Sequence, residues 1–150
     1  MEQEITLDRL AAAIGDALVI CDRDGRIVRW NAAAERMFGF SQEEALGQSM
    51  DIFIPERLRQ RHWDGCNQTM RTGITKYGTD VLRVPAIDKQ GRSLSIAFTV
   101  ALFAGDDGKP AAIAALIRDE TARFAEERAL RKRVTELEVQ LAARESKPAT

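Results

Sequence analysis

The chain has 150 residues, 45% hydrophobic and 30% charged, the composition and length of one globular domain with a single packed core, and short for a sensor joined to a catalytic domain. Its 22 basic and 23 acidic residues leave a net charge of −1, so nothing favours tight binding along a phosphate backbone, and nucleic acid is set aside as a main partner. Cys21 and Cys66 form no CxxC pair and have no ligand spacing with His62, the single histidine; this argues for two reduced thiols and against a zinc site.

No apolar run reaches the roughly 20 residues of a membrane span. The opening MEQEITLDRL carries acids where a signal peptide carries positive charge, so no membrane and a cytoplasmic location are expected. In EITLDRLAAAIGDA, Ile5, Leu7, Leu10 and Ile14 recur at near-helical spacing up to Gly15, predicting an amphipathic helix within residues 1–16 that packs on a sheet or on a second subunit. ALVICDRDGRIVRWN holds two β-branched runs around Asp24-Gly25, the signature of strand, tight turn, strand. Trp30 reads as a half-buried strand residue. Asn31 then precedes AAAERMFG as an N-cap, with Gly39 placed to stop that helix. Ser41 and Glu44 match a capping box, closed by Gly47. IPERLRQRHWDGCNQTMRTG predicts a longer helix from Pro55 to Gly73, and His62 belongs to it.

From there the period changes from helical to two. DVLRVPAID, RSLSIAFTVALF and AAIAALIRD read as strands joined by DKQG and GDDGKP. In the middle strand Leu94, Ile96, Phe98, Val100 and Leu102 alternate with smaller residues, giving one strongly apolar face. Asp22, Asp24, Asp106 and Asp107 fall in turns, where aspartate serves the backbone. Strand pair, helices, then three strands make an α+β domain: an antiparallel sheet with helices on one face. In the tail, Leu130, Val134, Leu137 and Leu141 step by four, three and four between charges. This is a short coiled-coil seam joining two copies, or else a stripe lying back on the domain. The resulting division is an N-terminal helix in 1–16, a globular domain in 17–121 and a C-terminal helix with a frayed end in 122–150.

DALVICDRDGRIVRWNAAAERMFGFSQEEALGQSM, followed by DKQGRSLSIAFTVALF and IRDET, resembles a PAS domain over roughly residues 5–121. The resemblance implies a five-stranded antiparallel sheet cupping a pocket beneath helices. It also implies a sensory and protein-interaction module rather than an enzyme, whose output is a change in dimer geometry at a C-terminal helix. A signalling protein partner is implied with it. The light-sensing flavin subclass is excluded, since neither cysteine stands in the N-C-R-F-L-Q context its photochemistry needs. The photoactive-yellow-protein pattern also lacks its cysteine and partners, which Tyr77 cannot supply.

IPERLRQRHWDG resembles the P-E-x-x-R-x-R-H segment of FixL-type haem-binding oxygen sensors, in which the histidine is the proximal iron ligand. The resemblance implies a b-type haem on His62, with Leu58 and Cys66 one turn away and Gly65 leaving room for the macrocycle. Leu82, Val84, Ile96, Phe98 and Val100 would line the opposite wall, and Lys76 or Arg83 would meet the propionates. A diatomic gas or a redox change would then be the signal, since five-coordinate haem needs only one protein bond. The chain departs from that subclass at Leu82, where an arginine would bond oxygen, at Gln68 and Lys76, where basic contacts are expected, and at Trp63. Tyr77, Asp80 and Arg83 could instead form a polar mouth or a solvated strand edge. Trp63 reads as pocket wall or dimer contact. The competing reading of His62 is a capping, hydrogen-bonded or packed side chain in a cofactor-free dimerisation or adaptor module, or in one holding another small apolar ligand.

Overall fold

A computed structural model of the protein describes residues 4–74 and 79–146. It separates into a unit ending at Asp119 and a second beginning at Glu120. The first holds α1 (Leu7–Ala13), β1 (Ala17–Asp22), β2 (Ile27–Trp30), α2 (Ala32–Phe38), α3 (Gln42–Ala45), a 3-10 turn (Met50–Phe53), α4 (Glu56–Thr72), β3 (Leu82–Ile87), β4 (Ser93–Ala104) and β5 (Pro110–Asp119). The five strands form one sheet in the order β2-β1-β5-β4-β3. Every neighbouring pair is antiparallel. This is the α+β architecture expected from the sequence.

Local chemistry sets the boundaries. Gly25 takes φ 76°, and the Asp22 carboxylate accepts from the N–H groups of Asp24 and Arg26, so the β1–β2 turn is made by a glycine and an aspartate acting on the backbone. Ser41 and Glu44 form the reciprocal capping box. Asn31 does more than cap. Its Oδ1 accepts from Ala34 N at 3.0 Å and from Leu18 N at 2.9 Å, while its Nδ2 donates to the carbonyls of Ala11 at 2.8 Å and Asp16 at 3.1 Å. One buried side chain thereby ties α1, β1 and α2 together.

Register decides which face is inner. Residues directly opposite in a ladder share a face, and Val19 stands opposite Ala115, Ala115 opposite Val100, Phe98 opposite Leu82 and Ile96 opposite Val84. Val19, Ile96 and Ile117 are buried with Ala17, Cys21 and Ala86 in the core that the helices cover. The alternation in β4 therefore turns Ile96, Phe98 and Val100 inward as expected. Trp30 is 2% exposed rather than half-buried. It meets Phe38 at 5.4 Å and Phe53 at 6.0 Å between ring centroids, Phe38 and Phe53 stack at 4.9 Å, and the indole donates to Phe40 O.

The N-terminal helix is present but shorter than its apolar stripe. The helix starts only at Leu7, after the Thr6 cap. Ile5, Leu7 and Leu10 are exposed and Ala11 is the buried residue, so the apolar stripe is not spent on the sheet of this unit. The second unit is one helix, α5 (Thr121–Glu145), in which Leu130, Val134, Leu137 and Leu141 are all exposed. Among the described residues no helix is long and apolar enough to cross a membrane.

Candidate cofactor site between α4 and the sheet

Helix α4 begins after Pro55 and ends on Gly73, whose left-handed φ of 72° lets its N–H reach Thr69 O. No side chain caps its start. Arg59 instead folds back, its guanidinium donating to Ile54 O at 3.1 Å and Asp51 O at 3.3 Å. Trp63, one turn on, donates from Nε1 to Asp51 Oδ1 at 2.7 Å. Its ring lies against Gly25, where an added Cβ would stand 2.2 Å from Cη2. These contacts lock the helix to the 3-10 turn and the β1–β2 turn. They make Trp63 a packing residue of this unit.

Along α4, Leu58, Arg59, His62, Trp63, Cys66, Thr69 and Met70 are half-buried, while Arg57, Gln60, Arg61, Asp64, Gly65, Asn67 and Gln68 are exposed. The half-buried set is one face at helical spacing, with His62 at its centre. Leu58 and Cys66 pack against the core. Gly65 stands on the exposed side with open space beside it, so it makes no room on the inward face. Gln68, at the position of an expected basic contact, is exposed as well.

His62 meets Trp63 edge-on, with centroids 5.0 Å apart and planes at 77°. Its Nδ1 is buried and has no hydrogen-bond partner in the structure, the condition a buried polar atom rarely tolerates. Burial pushes the imidazole below its ordinary pKa of 6.5, and the Asp51 charge opposes this only in part. The ring is therefore neutral at physiological pH, the form in which a nitrogen lone pair can bind a metal. The thiols are not in their metal-binding form. Burial, then Cys66, then Asp22, push Cys21 to about 12, and burial also raises Cys66.

Leu82, Val84, Ile96, Phe98 and Val100 lie on one inner face of β3 and β4 by register. Ile96 is buried, Leu82, Phe98 and Val100 are half-buried, and Val84 is 40% exposed. This end of the inner face is apolar and incompletely covered. Arg83 alternates to the outer face opposite Ala97, so it does not join the mouth of that wall, and Asp80 is exposed. Lys76 and Tyr77 lie outside the described residues. Among the described residues, no three His, Cys, Asp or Glu side chains gather to hold a metal ion. His62 is thus a single metal-capable nitrogen on the inward face of α4, and a lone imidazole is a donor set that fits the iron end of a haem, which needs one protein ligand.

Two features of this site escaped the sequence reading. Asp51 was not marked, although it accepts from Trp63 and faces His62; its only signal was a carboxylate just before the α4 motif. Arg59 stands in the sequence as part of a motif, whereas its guanidinium ties the first turn of α4 back to the carbonyls of Ile54 and Asp51.

The family model described as the PAS fold matches residues 6–120. A 60-residue stretch is 42% identical to the sensor protein FixL of Bradyrhizobium diazoefficiens, covering 40% of this chain and 12% of that protein. Over 116 residues the chain is 30% identical to an uncharacterized protein of Azorhizobium caulinodans, covering 77% of this chain and 16% of that one. The chain thus spans only a small part of the length of these curated relatives. In three dimensions it is similar to the PAS domain of a Colwellia psychrerythraea protein, with a TM-score of 0.66 at 21% identity, over 77% of this chain and 94% of that domain. With the family model covering most of the chain and the five-stranded sheet in agreement, this protein belongs to the PAS fold family.

Proposed function

We propose that this PAS domain is the non-catalytic sensor module of a signalling protein and holds b-type haem through His62. The observation that carries the reading is the buried His62 Nδ1 without a partner, on the inward face of α4, together with an apolar inner sheet face that is only partly covered. The local identity to a FixL sensor protein supports it. When bound, haem would supply an iron that can register a diatomic gas or a redox change.

The chain's own residues do the rest. Asp51 and Arg59 hold α4, and Trp63 packs against the His62 ring, so the imidazole keeps one orientation. Leu82, Val84, Ile96, Phe98 and Val100 would give the group an apolar wall, with Leu58 and Cys66 on the helix face of the histidine. Lys76 is the cation proposed for the propionates. Leu82 brings no hydrogen-bond donor, so the residues present would give oxygen no preference over carbon monoxide or nitric oxide as the gas sensed. The output is a change in a homodimer joined by the exposed seam of α5, passed to a signalling partner.

Protein produced with ample haem should bind it near one to one, show a Soret band that shifts with carbon monoxide after reduction, and lose that band in His62→Ala. Absence of haem uptake by the wild type, or an unchanged spectrum in the variant, overturns the assignment. A second reading then takes over, a cofactor-free dimerisation module, favoured by the packing of Leu58, Cys66, Phe98, Ile113 and Ala115 against the core.

A further inference from the structure

The apolar seam of α5 is bounded by charges of opposite sign. Continued by one step of three in each direction, Leu130, Val134, Leu137 and Leu141 lead to Glu127 and Arg144, both within the helix. In heptad terms Val134 and Leu141 occupy a positions, Leu130 and Leu137 d positions, with Glu127 at the next a and Arg144 at the next d. All four apolar residues are exposed. Glu127 is half exposed, with only a 3.5 Å intrahelical contact to Arg123.

A second copy of α5 can cover this seam in two directions. In a parallel pair each layer meets its own copy, so Glu127 faces Glu127 of the partner and Arg144 faces Arg144. In an antiparallel pair a layers meet d layers: Leu130 packs on the partner's Leu141, Val134 on the partner's Leu137, and both Glu127 residues lie beside an Arg144. The steps of three, four, three, four and three read the same in both directions, so no apolar residue loses its partner on reversal. Flanking charges lean towards the parallel pair. Glu126 with Arg131 and Arg133 with Glu138 attract across a parallel pair, each twice by symmetry, whereas only Arg131 with Glu138 attracts across an antiparallel one. The end layers outweigh this, since they lie in the seam itself and turn two like-charge repulsions into two opposite-charge attractions on reversal. Antiparallel helix dipoles act in the same direction.

Resting on the homodimer reading above, we infer that α5 pairs with a second copy of itself antiparallel, in the register that sets Glu127 beside the partner's Arg144. With four apolar layers the seam is marginal alone, so these two symmetric ion pairs weigh in its association constant. Within one helix Glu127 and Arg144 are about 25 Å apart, too far to interact.

Charge reversal in the full chain, read by sedimentation, tests the inference. Glu127→Arg and Arg144→Glu should each weaken dimerisation about tenfold, and the double variant should restore it, which loss of the Arg123 contact cannot explain. Leu130→Cys mixed with Leu141→Cys should cross-link on oxidation, while Leu130→Cys alone should not exceed the wild type. A dimer indifferent to the single reversals, with Leu130→Cys cross-linking to itself, overturns the antiparallel register and leaves the homodimer standing. A wild-type chain that stays monomeric at all concentrations overturns both.

Discussion

The indole of Trp63 donates to Asp51 Oδ1 at 2.7 Å while its six-membered ring fills the space above Gly25. A helix residue beside the candidate ligand thus rests on the one position of the β1–β2 turn that lacks a Cβ. Gly25 also has φ 76°, which costs an L-residue about 1–2 kcal/mol. Gly25→Ala should therefore destabilise by more than that backbone term, because Trp63 must move. In a Trp63→Ala background the same change should cost only about 1–2 kcal/mol. A double-mutant cycle in denaturant measures the difference, and equal costs in both backgrounds would show that the ring yields freely.

Asn31→Asp keeps the acceptor that caps α2 and replaces the two donors. A carboxylate would then face the carbonyls of Ala11 and Asp16. The expected loss is about 2–3 kcal/mol, accompanied by faster hydrogen exchange of the Ile14 amide at the end of α1. Asn31→Ala should lose the cap as well and be no more stable than Asn31→Asp. If Asn31→Asp proves neutral, α1 is held by other contacts.

Phe38 is fully buried within the aromatic trio, whereas Phe98 is half-buried on the inner wall. Phe38→Ala should cost about 3–5 kcal/mol in protein without a ligand. Phe98→Ala should cost clearly less, because it vacates space already open to water. Equal losses in thermal or chemical unfolding would mean that the wall is closed over and leaves no opening for a flat group.

Asp88 is 5% exposed and accepts from Gln90 N, Arg92 N and Arg92 Nε. Burial alone pushes its carboxyl up, but the Arg92 amide, the Arg92 guanidinium and the Gln90 amide outweigh this and hold it below the usual carboxylate value. A depressed carboxylate contributes stability that is fully present above its unfolded pKa and is lost as pH falls through the folded one. Asp88→Asn should thus be less stable than wild type at neutral pH, and the gap should close as pH falls below about 4. A gap that stays constant on acidification would assign the role to shape rather than charge.

The elements were legible in the sequence because their signals are local. Gly25, Asn31, Gly39, the Ser41–Glu44 box and Gly73 act on backbone groups within a few residues, so their spacing alone places turns and helix ends. The inner face of β4 was legible for a related reason: a period of two leaves one way to bury Ile96, Phe98 and Val100 together. The same rule already placed Arg83 opposite in direction to Leu82 and Val84, and expecting it at the mouth beside them disregarded the pleat. His62 could be picked out by its neighbours on a helix turn, and its inward direction follows from that spacing.

Tertiary structure decided what depends on residues far apart in the chain. Trp30 is fully buried because Phe38 and Phe53 arrive from two other segments, and no local pattern announces that meeting. The Asp51–Trp63 bond and the burial of Asp88 likewise depend on how a turn docks beside a helix or strand. The exposure of Leu7 and Leu10 has the same origin, since an amphipathic stripe specifies that something must cover it but not what. The missing partner of His62 Nδ1 is visible only in three dimensions. Sequence says which atoms can bond, and only the fold says which of them are left without a bond.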